Sequence, residues 1–129
     1  MNSVHDSGIQ LNSSQAESEE IRPRDVELEG REAVLEDLVV AKDGSTVTGY
    51  VRVRNEAYEK RVVLRHTENE WSTHQDTAAK WIQSLKGGEC DRFMFQLNLP
   101  QGPFSVRLAI EATQNRKTVW DNNNYYIMC

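Results

Sequence analysis

VRVRNEAYEKRVVLRHTENEWSTHQD, running from Val51 to Asp76, alternates apolar and polar side chains and then breaks into aromatics, amides and a lysine. Val51 and Val53 alternate with Arg52 and Arg54, and the pattern extends back through Val47 and Gly49 against Thr48 and Tyr50. A period of two is that of a strand with one face in a core. Arg61 to Thr67 is a second, shorter β-like run. Two polar segments, Asn55 to Lys60 and Glu68 to Asp76, interrupt or follow these strands and carry Tyr58 and Trp71.

Outward from this stretch the same texture recurs. Phe93, Phe95, Leu97 and Leu99 alternate with Met94, Gln96 and Asn98, and Phe104, Val106, Leu108 and Ile110 alternate with Ser105, Arg107 and Ala109. Leu35 to Val40 adds another short run. Lys42-Asp-Gly-Ser is a hairpin signal, because Asp-Gly accepts the positive φ of a tight turn. Pro100-Gln-Gly-Pro and Gln114-Asn-Arg-Lys separate the later strands. Asp76 to Leu85 is the one stretch expected to make a helical turn, ended by Gly87-Gly88. About seven or eight short strands without a substantial helix predict an all-β, immunoglobulin-like antiparallel β-sandwich. It is expected over residues 31–129, with residues 1–30 a disordered acidic and Ser-rich tail whose composition cannot offset the entropy of ordering.

The charge is unevenly placed. Of the net −5, residues 1–30 carry seven acids against Arg22 and Arg24, and the remaining chain balances thirteen of each sign. A neutral domain is a poor match for a phosphate backbone, so no nucleic acid is expected as ligand. No apolar run approaches the ~20 residues of a membrane span, and the amino terminus lacks a secretory pattern. A cytoplasmic protein with no membrane partner is the expectation. Cys90 and Cys129 have no ligand-like spacing and are read as reduced thiols.

Catalytic and metal signatures are missing from the sequence. His5, His66 and His74 are not spaced as metal ligands, and neither a phosphate loop nor a nucleophile elbow occurs. Carboxylates are plentiful, but a domain this small offers little room for two positioned acids in a deep cleft. A non-enzyme without cofactor or metal is therefore expected. The aromatics say more. Trp71 lies within Glu-Asn-Glu-Trp-Ser-Thr, and Trp120 precedes Asp121-Asn122-Asn123-Asn124. A pyranose has an apolar C–H face and a rim of hydroxyls, which an indole can stack on and asparagine amides can read. The plainer alternative is that the tryptophans plug the sandwich and the asparagines make turns. Trp81, beside Ala78, Ala79 and Ile82, is expected in the core. On local pattern alone, Asn55 is a turn former, Tyr58 a packing residue and Lys60 a solvated charge.

Val51, Val53, Asn55, Tyr58, Glu59, Lys60, Val62, Leu64, Arg65, Thr67, Trp71, Thr73 and Asp76 fall in order and register on one family signature. Trp120-Asp-Asn-Asn matches the first half of its terminal signature. The chain thus resembles family 21 carbohydrate-binding modules, over roughly Ala33 to Met128. These are the starch- or glycogen-binding sandwiches of fungal glucoamylases and of glycogen-targeting regulatory subunits of type-1 protein phosphatase. The resemblance implies binding of glycogen or another α-1,4-glucan, with Trp71, Trp120 and Asn122 in the principal site. Asn124 enters that site with a shift in register. Asn55, Tyr58 and Lys60 match a second sugar-binding surface.

The resemblance also implies the phosphatase catalytic subunit as a partner, yet the motifs for it depart from the pattern. The terminal Gly-x is missing before Asn124-Tyr125-Tyr126, Asn69 replaces an aspartate, and Val119 an aromatic. The nearest phosphatase-docking sequence is Arg24-Asp-Val26-Glu-Leu28, with leucine where a phenylalanine should fill a pocket. The competing reading is a phosphatase-regulatory or protein-interaction sandwich with weak or no sugar binding.

Overall fold

The computed structural model describes residues 8–11, 28, 32–121 and 125–128. Ten strands are described: β1 Gly8–Leu11, β2 Ala33–Val40, β3 Thr46–Arg54, β4 Arg61–Thr67, β5 Gln75–Ala78, β6 Lys80–Leu85, β7 Cys90–Asn98, β8 Val106–Gln114, β9 Lys117–Trp120 and β10 Tyr125–Met128. One sheet runs β1-β10-β8-β4-β5 with β9 also paired to β8, and the other runs β2-β3-β7-β6. Every pairing is antiparallel except that of β1 with β10. The expected sandwich is present, and its extra strands are four-residue pieces at sheet edges and beside β8.

Alternation builds the core. Val47, Val51 and Val53 of β3 and Phe93, Phe95 and Leu97 of β7 pack with Val62, Leu64, Leu108 and Ile110 from the opposite sheet. Gly49 lies opposite Phe95 in register, and a Cβ there would sit 2.1 Å from the Phe95 ring. Only glycine leaves room for that ring. β3 differs from a half-buried strand in one respect, because Thr48, Tyr50 and Arg52 on its other face are buried too. Their cover includes a charged cluster. A register shift between Leu35 and Asp37 turns Glu36 onto this face, where its carboxylate meets Arg52 Nη2 at 2.8 Å and Arg92 Nε at 2.8 Å.

Asp76 to Leu85 is not a helical turn. It forms β5 on the edge of the larger sheet and β6 on the edge of the smaller one. The chain passes between the sheets at Ala79, whose N–H still donates to Val62 O at 2.9 Å. Two strand edges offering unpaired backbone groups outweigh a weak helical pattern, and the turn comes later, as a 3₁₀ turn at Lys86–Gly88.

Of the tail expected to lack order, residues 1–7, 12–27 and 29–30 lie outside the described residues. Gly8–Leu11 adds to the edge of β10, and Leu28 is buried against Val34 and Cys90, with Leu85 beside them. Cys90 is a free, buried thiol whose pKa is pushed up by desolvation, and Cys129 lies outside the described residues.

Candidate functional site

β4 carries a candidate loop at each end. Beyond Thr67, the backbone turns through Glu70 and Trp71 at φ 59° and 72°, the left-handed region that side chains other than glycine rarely adopt. Holding an L-residue there costs about 1–2 kcal/mol, so something must fix it. Thr67 Oγ1 accepts the N–H groups of Asn69 and Trp71, each at 3.2 Å. Asn69 Oδ1 accepts from Thr73 N at 3.0 Å, while its amide nitrogen donates to Thr73 Oγ1 at 2.8 Å. An aspartate at Asn69 would lack that donor. The loop is thus braced from within, and it presents Trp71 partly exposed.

Trp120 belongs to the same sheet. It pairs with Glu111 on β8, in the phase that points away from the core, and is 41% exposed. The Arg65 guanidinium lies 5.2 Å from its ring centroid, a cation–π contact. Arg65 is held in turn by Asp76, with Nε to Oδ1 at 2.9 Å and Nη2 to Oδ2 at 3.1 Å. That bidentate pair raises the Arg65 pKa and lowers that of Asp76, hydrogen bonding being the main cause of both shifts. Arg65 precedes the Trp71 loop and Asp76 follows it, so one ion pair ties the base of that loop to the Trp120 ring. Asp121, next in sequence, is buried. Its N–H donates to Ile110 O at 3.0 Å, and its carboxylate accepts from Tyr126 Oη at 2.5 Å and Leu35 N at 3.2 Å. It bolts the end of β9 to the core. Asn122 and Asn124 lie outside the described residues.

At the other end of β4, Asn55 to Lys60 form the second loop. Tyr58 is 99% exposed, so it is not a packing residue. Lys60 is not a solvated charge either: its side chain is 4% exposed. Its ammonium meets Asp91 Oδ2 at 2.7 Å, Asn55 Oδ1 at 2.5 Å and Ala57 O at 2.5 Å. An ammonium has three donors, and three acceptors surround this one. Asn55 also donates from Nδ2 to Gly88 O at 2.9 Å and from its backbone N–H to Glu89 O at 3.0 Å. Tyr58 overlooks an open cleft of about 1010 Å³ whose walls include Trp81, Phe93, Arg61 and Arg116.

Trp81 corrects the expectation of a core residue, being 57% exposed on the cleft wall. It is paired with the core residue Phe93, but β6 is an edge strand, so the same inward phase leaves Trp81 at the rim. Its alanine neighbours suggested burial, and only the sheet order reveals the edge. Thus Trp71 and Trp120 are linked through Arg65 and Asp76 at one end of β4, and Asn55, Tyr58 and Lys60 gather with Trp81 at the other. Among the described residues no group of three or more His, Cys, Asp or Glu side chains is placed to hold a metal, and no helix is long and apolar enough to cross a membrane.

The family described as carbohydrate/starch-binding module (family 21) matches residues 27–127. Protein phosphatase 1 regulatory subunit 3C of Xenopus tropicalis is 38% identical over 85 residues, covering 65% of this chain and 38% of that protein. Protein phosphatase 1 regulatory subunit 3A of Mus musculus is 32% identical over 116 residues, covering 77% of this chain and 11% of its own length. The chain therefore spans a minor part of either relative. Among solved structures, the carbohydrate binding module of the muscle glycogen-targeting subunit of protein phosphatase-1 superposes with a TM-score of 0.65 at 28% identity, over 76% of each chain. The starch binding domain of Rhizopus oryzae glucoamylase, at 24% identity and a TM-score of 0.57 over 72% of this chain and 86% of that one, shares the fold. With a family match running through both braced loops and nearly the whole sandwich, the chain belongs to carbohydrate-binding module family 21.

Proposed function

We propose that this chain binds glycogen or a related α-1,4-glucan without transforming it, and so anchors glycogen-metabolism proteins to the polymer. The observation that carries this reading is the pair of braced loops that hold Trp71 and Tyr58 toward solvent. A loop backbone fixed in advance loses little entropy on meeting a pyranose. Trp71 and Trp120 are the stacking residues of one surface, with Asn122 and Asn124 reading hydroxyls beside them. Tyr58 and Trp81 form the second surface, for which Asn55 and Lys60 are the frame. Membership of a carbohydrate-binding family and the glycogen-targeting subunit among its structural relatives support the ligand class.

Retention on glycogen or amylose tests this directly, comparing the parent with Trp71→Ala, Trp120→Ala and Tyr58→Ala. Each loss of an aromatic stack is expected to cost on the order of 1 kcal/mol, roughly fivefold in affinity. A folded parent that stays in solution sinks the proposal.

The similarity to two phosphatase regulatory subunits favours the type-1 phosphatase catalytic subunit as a protein partner, with the cytoplasm and glycogen particles as the location. Docking through Arg24–Leu28 would require Leu28 to leave its own apolar cluster. Co-purification with the catalytic subunit, before and after changing Val26 and Leu28, decides whether that segment is the anchor. An unchanged complex removes it.

A further inference from the structure

β8 points Val106, Leu108, Ile110 and Ala112 into the core, and the next residue in that phase is Gln114. Gln114 is 5% exposed, so the sandwich buries a primary amide where its pattern calls for an apolar side chain. A buried amide is costly unless its polar atoms are paired. Those of Gln114 are paired with one short piece of backbone. Its Oε1 accepts the N–H groups of Glu56 and Ala57, each at 3.0 Å, and its Nε2 donates to Arg54 O at 2.7 Å. The amide thus spans three consecutive peptide units at the root of the loop that carries Tyr58. The segment makes no strand pairing of its own there, since β3 ends at Arg54 and β4 starts at Arg61.

The remaining contacts of the loop hold other points. Lys60 fixes Ala57 O and the Asn55 side chain, the Asn55 amide reaches Gly88 O, and Asn115 Nδ2 donates to Glu56 O at a longer 3.4 Å. Gln114 alone among these groups binds the backbone N–H groups of Glu56 and Ala57, which precede Tyr58. Tyr58, at 99% exposure, has almost no packing of its own to set its position. Its place is inherited from the backbone beneath it.

From this arrangement we infer that Gln114 is a positioning residue for the Tyr58 surface: it touches no sugar, and fixes the peptide units from which the Tyr58 ring is offered to a glucose unit. The inference rests on the proposed sugar binding and assigns the residue that pre-organises its second surface. Losing Gln114 should lower affinity there about as much as losing the ring it positions.

A double-mutant cycle in the Trp71→Ala background, so that the Tyr58 surface reports, tests this with maltoheptaose as probe. Gln114→Met keeps the volume and removes the hydrogen bonds, and Gln114→Glu keeps the acceptor and removes the donor to Arg54 O. Gln114→Met is expected to weaken binding about fivefold, like Tyr58→Ala. Added to Tyr58→Ala, it should weaken binding no further, because the group it acts through is gone. Faster amide hydrogen exchange at Glu56 and Ala57 in Gln114→Met, and not in Gln114→Glu, which keeps their acceptor, is the accompanying structural readout. If Gln114→Met does not fold, Gln114→Glu carries the same cycle. Equal affinity for parent and Gln114 variants overturns the inference, as do losses that add to that of Tyr58→Ala. Failure of the Trp71-intact parent to bind maltoheptaose overturns the proposed function itself, and the positioning role with it.

Discussion

Replacing Lys60 with methionine separates a cation that touches ligand from one that holds the fold. The Lys60 and Asp91 side chains are 4% and 7% exposed, with 2.7 Å between Nζ and Oδ2. A solvent-exposed pair would be worth about 0–1 kcal/mol. Removing one partner of a buried pair instead leaves an uncompensated charge, at about 3–5 kcal/mol. Among the described residues Asp91 would keep only the Ser84 hydroxyl, 3.2 Å away, too little to replace an ammonium. Against a total stability of about 5–15 kcal/mol, such a loss is large. With a urea m-value of about 2 kcal/mol/M, a loss of about 4 kcal/mol lowers the midpoint by about 2 M. Equilibrium urea unfolding followed by tryptophan fluorescence measures it. The double change Lys60→Met with Asp91→Leu should recover much of the loss, because both charges leave together. A Lys60→Met loss under about 1 kcal/mol, or a double variant no better than the single one, would refute a buried clamp and return Lys60 to the ligand surface.

Two further expectations concern the scaffold. Gly49→Ala should cost about 1–3 kcal/mol in urea unfolding, because its Cβ meets the buried Phe95 ring well inside contact distance; an unchanged midpoint would show that the ring can move aside. For His66, burial lowers the imidazole pKa, and His74 adds to this while Asp76 and Glu68 oppose it. The unfolded chain therefore takes up the proton first, and the stability present above about pH 6.5 is lost as the pH falls through the lowered folded value. Melting temperature against pH should fall less steeply between about pH 7 and 5 in His66→Gln, and identical slopes would remove His66 as a cause.

The long strands were legible because each keeps one face in the core over several residues. β3, β4, β7 and β8 announce themselves through Val47–Val53, Val62–Leu64, Phe93–Leu97 and Val106–Ile110. β5 and β6 were not, since both are short, exposed edge strands whose side chains answer to no buried face. The position of Trp81 follows from the same edge and was misread for the same reason. Lys60 was misread because its partner, Asp91, arrives from a strand of the other sheet, and nothing local to Asn55–Lys60 announces it. Asp121 stands in a run of polar residues that gives it no assigned role, and Tyr126 and Leu35 claim its carboxylate. In each case the sequence shows a polar or aromatic group, while its role depends on a partner remote along the chain.

The arrangement of the two loops bears on how a polymer would be held. β4 has seven residues, about 20 Å of strand at ~3.3 Å per residue, with the Tyr58 loop before it and the Trp71 loop after it. Trp120, whose ring lies over Arg65, belongs with the second of these. The two surfaces therefore stand at opposite ends of one rigid strand, each braced by its own polar network. On the proposed function, an oligosaccharide of two or three glucose units would occupy one surface at a time, whereas a long or branched glucan would engage both. The second contact would then be intramolecular and would raise overall affinity by about 10²–10⁴ without any new kind of interaction. Retention on glycogen would read that combined grip, and maltoheptaose in the Trp71→Ala background would read the Tyr58 surface, which is why the two assays answer different questions. Rigid bracing would serve such a combined grip in particular: a mobile Tyr58 loop would lower the effective concentration at which the second surface meets a chain already held by the first.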